Sequence, residues 1–184
     1  RHFFRLKIPE KKPNITRYWF HVASLGEFEQ CRPVIESLKK KQVQIEIILT
    51  FFSPSGYEVQ KNYVQADWVG YIPKDYYSLA FQFIRKINPD KVIFVKYEFW
   101  LNHLQVCFDL QIPVIFFSVI FRTNHIYFGI ARILYEKYFR LVSQFFVQDQ
   151  KSADLLQELG VRNVEVVGDT RFDRVVTIAE QAES

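Results

Sequence analysis

Apolar residues along this chain fall in short continuous runs instead of alternating with polar ones. Runs rich in β-branched and aromatic residues occupy 18–23, 44–52, 67–71, 91–96, 113–119, 144–148 and 163–167. Strands covered on both faces of a sheet read this way, so the seven runs predict buried parallel strands. Between them, apolar positions recur at helical spacing over roughly 27–41, 56–65, 76–87, 98–110, 125–142 and 150–159. Boundary residues agree with the alternation. Gly160 stands where a helix ending at Leu159 would be capped, Asn88-Pro89 ends another, and Ile112-Pro113 opens a strand. No internal repeat interrupts the pattern. It predicts an α/β fold, a Rossmann-like doubly wound parallel sheet with helices on both faces.

Ligands of such sheets bind beyond the carboxyl ends of the strands. The segments expected there are Ser24-Leu25-Gly26-Glu27, Ser53-Pro54-Ser55-Gly56, Lys96-Tyr97-Glu98-Phe99-Trp100, Ser118 with Arg122, Gln148-Asp149, and Gly168-Asp169-Thr170-Arg171. In a parallel sheet all six share one edge, and their carboxylates, cations and hydroxyls would form an active-site wall. The stretch from Tyr18 to Gln30 is the most informative: a strand stops at small residues, and a carboxylate opens the following helix. A helix N-terminus favours the ionised form of Glu27, which suits a general base. The same position also suits a first-turn acid that only complements the helix dipole. Glu29 faces elsewhere on the helix and reads as structural.

Lys96 and Glu98 would point to one side of a strand and could pair, either as a structural ion pair or as part of the site. Ser53-Pro54-Ser55-Gly56 reads as a capping turn or as an anion cradle. Arg122 and Arg32 are further candidates for substrate contact, although Arg32, beside Pro33, could instead pack structurally. His21 lies inside a strand and reads as a buried, hydrogen-bonded histidine. Phe51, Phe52, Tyr57, Phe99 and Trp100 flank the edge.

Composition narrows the field. A chain of 184 residues, 49% hydrophobic and 24% charged, supports one sizeable globular domain. The net charge of +4 accommodates an anionic substrate or lipid headgroup but makes no case for nucleic acid. Cys31 and Cys107 lack metal-ligand spacing and suggest a reducing compartment. No apolar run reaches the ~18 residues of a membrane span. No metal cluster or cofactor motif is evident. The chain contains no methionine and opens at Arg1, so a longer parent is expected. Residues 1–17 form a tail in which Arg1, Arg5, Lys7, Lys11 and Lys12 surround Phe3 and Phe4. It reads as a solvated tail or as a contact with anionic lipid.

The segments HVASLGEFEQCRPVIE, TFFSPSGYE, ADWVGYIPKD, VKYEFWLN, SVIFR and GDTRFDRV follow one another in order across the chain. Together they resemble the N-terminal half of bacterial 3-deoxy-D-manno-octulosonic acid (Kdo) transferases, over about Trp19 to Val175. The resemblance implies an inverting, metal-independent glycosyltransferase of the two-domain GT-B type. Its donor would be CMP-Kdo and its acceptor a lipid A precursor in lipopolysaccharide biosynthesis, at the cytoplasmic face of the bacterial inner membrane. No cofactor is implied. Residues 18–170 would form the acceptor-binding domain and 171–184 the start of an interdomain linker. A preceding membrane anchor and a following CMP-Kdo-binding domain would lie outside the chain. Glu27 then matches the family's base, and Glu98 an acid that assists the transition state. Arg171 matches a cation that offsets charge on the Kdo carboxylate or the departing phosphate. Ser24, Gly26, Ser53, Ser55, Gly56, Lys96 and Arg122 would contact substrate. Two rivals remain at this point: a non-catalytic module binding anionic lipid or a partner, and a GT-B enzyme using another nucleotide sugar.

Overall fold

The computed structural model describes residues 8–168. Seven strands form a single sheet in which every pairing is parallel. They are β1 (Thr16–Val22), β2 (Ile45–Phe51), β3 (Trp68–Tyr71), β4 (Lys91–Val95), β5 (Val114–Val119), β6 (Gln144–Val147) and β7 (Val164–Val166). All seven predicted strands are present. The helices are α1 (Leu25–Lys41), α2 (Pro54–Gln60), α3 (Tyr77–Ile87), α4 (Leu101–Asp109), α5 (Arg132–Phe139) and α6 (Gln150–Glu158). Three are shorter than the spacing predicts, α2 ending at Gln60 where the spacing runs to 65. Residues 98–100 stay outside α4, where Glu98 and Trp100 make side-chain contacts described below. Residues 123–131 form turns in place of the first half of the helix expected from 125.

The strand order is β3-β2-β1-β4-β5-β6-β7. The chain moves outward from β1 to β3, then returns to place β4 on the other side of β1. Loops leaving β1 and β4 therefore diverge, and the crevice between them is where a ligand fits in a sheet of this kind.

Two cores cover the two faces. One packs Trp19, Phe83, Phe94, Phe116, Phe139 and Phe145 beneath α3, α4, α5 and α6. The other packs Phe20, Phe28, Ile35, Ile47 and Phe51 beneath α1. Successive strand residues point to opposite faces, so Trp19 and Phe20 enter different cores. This explains the unbroken apolar runs. At the amino end of β1, fully buried Arg17 donates to Glu46 on β2 at 2.7 Å and to the Ile87 carbonyl at 2.7 Å. That pair closes the edge opposite the crevice.

Glycine is required at a tight contact beside the crevice. A Cβ on Gly56 would stand 2.6 Å from the Phe51 ring and 3.0 Å from the Leu25 nitrogen. Its absence lets α2 lie against the loop that leaves β1.

Replacing Glu46 with Leu would leave the Arg17 guanidinium buried without its carboxylate. The expected cost is about 3–5 kcal/mol, read as a lower urea midpoint. An unchanged midpoint would show that the backbone carbonyls alone hold Arg17.

Candidate functional site

Two carboxylates meet the β1–β4 crevice from different sides. Glu27 rises from the first turn of α1. Ser24 caps that helix, its Oγ accepting from the Glu27 N–H at 3.4 Å. The Glu27 side chain reaches back and accepts from the Ala23 N–H at 2.6 Å. Ser24-Leu25-Gly26-Glu27 is thus a variant of the reciprocal Ser-x-x-Glu cap, with the carboxylate reaching one residue further back than usual. The cap fixes the carboxylate above the end of β1.

The electrostatics of Glu27 differ from the sequence expectation. The helix N-terminus was expected to favour the ionised form. Burial instead pushes the carboxyl above its ordinary value. The Ala23 N–H opposes this, the charge on Glu98 adds to it, and Lys96 opposes it. Half-removal from water outweighs the one strong backbone donor. The result is a carboxylate with raised proton affinity beside a second carboxylate, an arrangement suited to accepting a proton during reaction.

Glu98 follows β4. Its Oε2 lies 2.7 Å from the Trp100 indole N–H and 3.3 Å from His21 Nε2. His21 is fully buried on β1, and its Nδ1 lies 2.9 Å from Thr50 Oγ1 on β2. The same hydroxyl accepts from the Trp19 indole at 2.8 Å. Burial lowers the proton affinity of His21, with the Glu98 carboxylate pulling the other way. A neutral imidazole with its proton on Nε2 fits both ring contacts, the Thr50 proton then going to Nδ1 at 2.9 Å in preference to the Phe20 carbonyl at 3.3 Å. Nε2–H then donates to Glu98, and Nδ1 accepts from the Thr50 hydroxyl. Both contacts of Glu98, to His21 and to Trp100, fall on Oε2.

Glu98 and Lys96 form no ion pair among the described residues, contrary to the expected strand alternation. Strand β4 ends at Val95, and Lys96 has φ of +58°. That left-handed residue breaks the alternation on which the pairing was expected. The charge of Lys96 acts on Glu27 instead. Ser118, at the end of neighbouring β5, also has positive φ, at +59°. Its hydroxyl donates to Gln30 of α1 at 3.2 Å and accepts from Gln148 after β6 at 2.7 Å. Two such residues at adjacent strand ends hold loops in conformations that only dense local bonding sustains.

The other predicted residues are dispersed along the same edge. Gly26 is exposed beside Glu27. Ser53 caps α2 through the Ser55 N–H at 3.3 Å and lies 2.8 Å from the Ser55 hydroxyl. The Ser53 N–H bonds the Ala23 carbonyl at 2.8 Å, which ties this turn to the Glu27 loop. Gly56 is buried in the close packing described above. Arg122 sits beyond β5 and pairs with Asp149 at 2.8 Å. Arg32 pairs with Glu29 on the outer side of α1, away from these contacts. Arg171 lies outside the described residues. Cys31 and Cys107 are buried and unpaired, and burial raises both thiols. Among the described residues no three His, Cys, Asp or Glu side chains converge as metal ligands.

The link from Glu98 to His21 spans 77 positions. No local spacing signals it. The only trace in the sequence is a polar residue, His21, inside an otherwise apolar strand.

A raised carboxyl has a consequence for stability. Its contribution is fully present below the unfolded-state value and is lost as pH rises through the raised folded value. Glu27→Gln keeps an acceptor for Ala23 and removes the charge. The variant should resist urea at least as well as the wild type at neutral pH, with the difference closing in mild acid. A variant markedly weaker at neutral pH would mean that the carboxylate is stabilising.

Comparison with known proteins identifies the chain's relatives. Residues 1–174 match a family model described as 3-deoxy-D-manno-octulosonic-acid transferase (kdotransferase). The chain is 24% identical over 160 residues to the 3-deoxy-D-manno-octulosonic acid transferase of Haemophilus influenzae, covering 84% of this chain and 37% of that protein. It is 24% identical over 173 residues to the enzyme of that name from Chlamydophila psittaci, covering 91% and 40%. A shorter match, 34% over 83 residues, covers 45% of this chain and 23% of the Aquifex aeolicus transferase. The chain therefore spans well under half the length of these curated relatives. In fold it resembles UDP-N-acetylglucosamine 2-epimerase from Neisseria meningitidis, with a TM-score of 0.62, 17% identity and coverage of 91% of this chain and 50% of that one. The Methanocaldococcus jannaschii enzyme gives a TM-score of 0.63, 19% identity and coverage of 91% and 51%. At such identities the likeness concerns the fold alone. The match over residues 1–174 covers almost all of the sequence, crevice loops included, and the chain belongs to the 3-deoxy-D-manno-octulosonic-acid (Kdo) transferase family.

Proposed function

We propose that this chain is the acceptor-side part of an inverting glycosyltransferase that moves Kdo from CMP-Kdo to a lipid A precursor. The observation that carries the reading is the position of Glu27. In a chain of this family, it stands at the β1–β4 crevice with raised proton affinity. As the acceptor hydroxyl attacks the anomeric carbon of Kdo, Glu27 takes its proton. The bond from that carbon to the CMP phosphate breaks, and CMP leaves with the electron pair. One displacement inverts the anomeric centre. Glu98, oriented by His21 and Trp100, presents its second oxygen to the substrate and helps keep Glu27 proton-hungry. Lys96 and the turn at Ser53-Ser55 supply cationic and polar contacts for an anionic acceptor. Arg171 is assigned to the donor's carboxylate or phosphate, as the family resemblance implies. The reaction would take place at the cytoplasmic face of the inner membrane, in a parent protein that supplies the donor-binding half.

The test is turnover of CMP-Kdo onto a lipid A precursor by the full-length parent. Glu27→Gln should lower the rate by about 10²–10⁴-fold with the fold intact, the range of a positioned general base. An inert wild type would reject this donor and acceptor and favour another nucleotide sugar or a non-catalytic lipid-binding role. Full activity in the variant would put the base elsewhere.

A further inference from the structure

A second carboxylate–imidazole pair lies behind the crevice. Asp75, in the loop after β3, reaches across to α4, whose cap residue Trp100 offers no side-chain acceptor. The Asp75 carboxylate fills that role and accepts from the Asn102 N–H at 3.1 Å and the His103 N–H at 3.2 Å. The Asn102 side chain donates back to the Asp75 carbonyl at 2.7 Å. An ionised carboxylate only accepts, so His103 Nδ1 carries its ring proton and donates to Asp75 at 2.8 Å. Burial opposes the charge on Asp75, but the imidazole and the amides together hold its carboxyl below the ordinary range. Among the described residues its hydrogen bonds all go to Asn102 and His103.

His103 is fully buried, and its Nε2 has no hydrogen-bond partner among the described residues. A bare buried nitrogen weakens a fold, and an apolar ring in its place would not. What the imidazole adds is the Nδ1 bond to Asp75. That bond fixes the ring against the Trp100 indole, with centroids 5.9 Å apart and planes at 83°. The indole is flanked on other sides by His21 at 5.7 Å and Phe52 at 5.2 Å. Its single N–H goes to Glu98 at 2.7 Å, a closer contact than the 3.3 Å from His21. The position of Glu98 therefore follows the position of Trp100, and Trp100 stands where α4 begins.

We propose that Asp75 is a positioning residue for the transfer reaction. Through the α4 cap and the His103 ring it seats Trp100, and Trp100 sets the Glu98 carboxylate at the crevice. The proposal rests on the transferase reading, in which Glu98 assists the transition state.

Two measurements test it, and the second needs no turnover. In the full-length parent, Asp75→Ala should lower kcat with CMP-Kdo and a lipid A precursor by about tenfold to a hundredfold, as expected for a displaced catalytic group, with KM little changed. Asp75→Asn keeps an acceptor for the α4 amides and should lose less. In a Glu98→Gln parent, Asp75→Ala should lower kcat by less than about twofold, because the group it positions is already gone. Equal losses in both backgrounds would reduce Asp75 to a structural cap and overturn the proposal, as would full activity in Asp75→Ala. The second measurement is nitrogen-15 NMR of the Trp100 indole N–H in the 184-residue chain, assigned with Trp100→Phe. Glu98→Gln should move the indole proton upfield by weakening its bond to a charged acceptor, and Asp75→Ala should move it the same way, with circular dichroism unchanged. An inert parent would reject the transferase reading, and this signal would still decide whether Asp75 seats Trp100. An indole proton that responds to Glu98→Gln but not to Asp75→Ala would overturn the proposal.

Discussion

His21 is completely enclosed on β1, and a buried imidazole must find a partner for each ring nitrogen or lose stability. It finds Thr50 on the neighbouring strand and Glu98 in the loop after β4. One side chain thereby ties three segments together at the point where the strand order reverses. Trp19 and Trp100 join through the same hydroxyl and the same carboxylate oxygen. The Glu98 loop cannot settle elsewhere without stranding that nitrogen. Glu27, fixed from the other side of the crevice by its helix cap, then faces a carboxylate whose position is already set. Its raised proton affinity follows from burial first and from this second charge after it.

Much of the fold was legible because both faces of the sheet are covered. Buried strands must be apolar throughout, and the seven runs mark them without ambiguity. Their convergence on one edge followed once the strands were read as parallel. The first half of the helix expected from residue 125 was not legible. Ile126 and Ile130 continue the apolar periodicity, yet they face water among turns around Gly129. Periodicity records that residues are apolar and cannot say whether the protein interior covers them.

The site was legible as a set of positions and not as a set of contacts. Glu27 and Glu98 were identified by their place after strands. Their mutual influence was not, because it depends on the reversal between β1 and β4. The expected Lys96–Glu98 pairing assumed that strand alternation continues past Val95. The left-handed backbone of Lys96 ends that alternation. The expectation for Glu27 rested on the helix dipole, a modest surface effect. Burial, which sequence spacing does not report, reverses its sign.

The central claim is that Glu27 is a proton-seeking carboxylate because it is half-buried beside Glu98. Carbon-detected NMR titration of the Glu27 side-chain carboxyl tests it most directly, in the wild type and in Glu98→Gln. The account predicts a midpoint above the ordinary range for a glutamate, falling when the neighbouring charge is removed. A midpoint at or below the ordinary value, or one indifferent to Glu98→Gln, would contradict it.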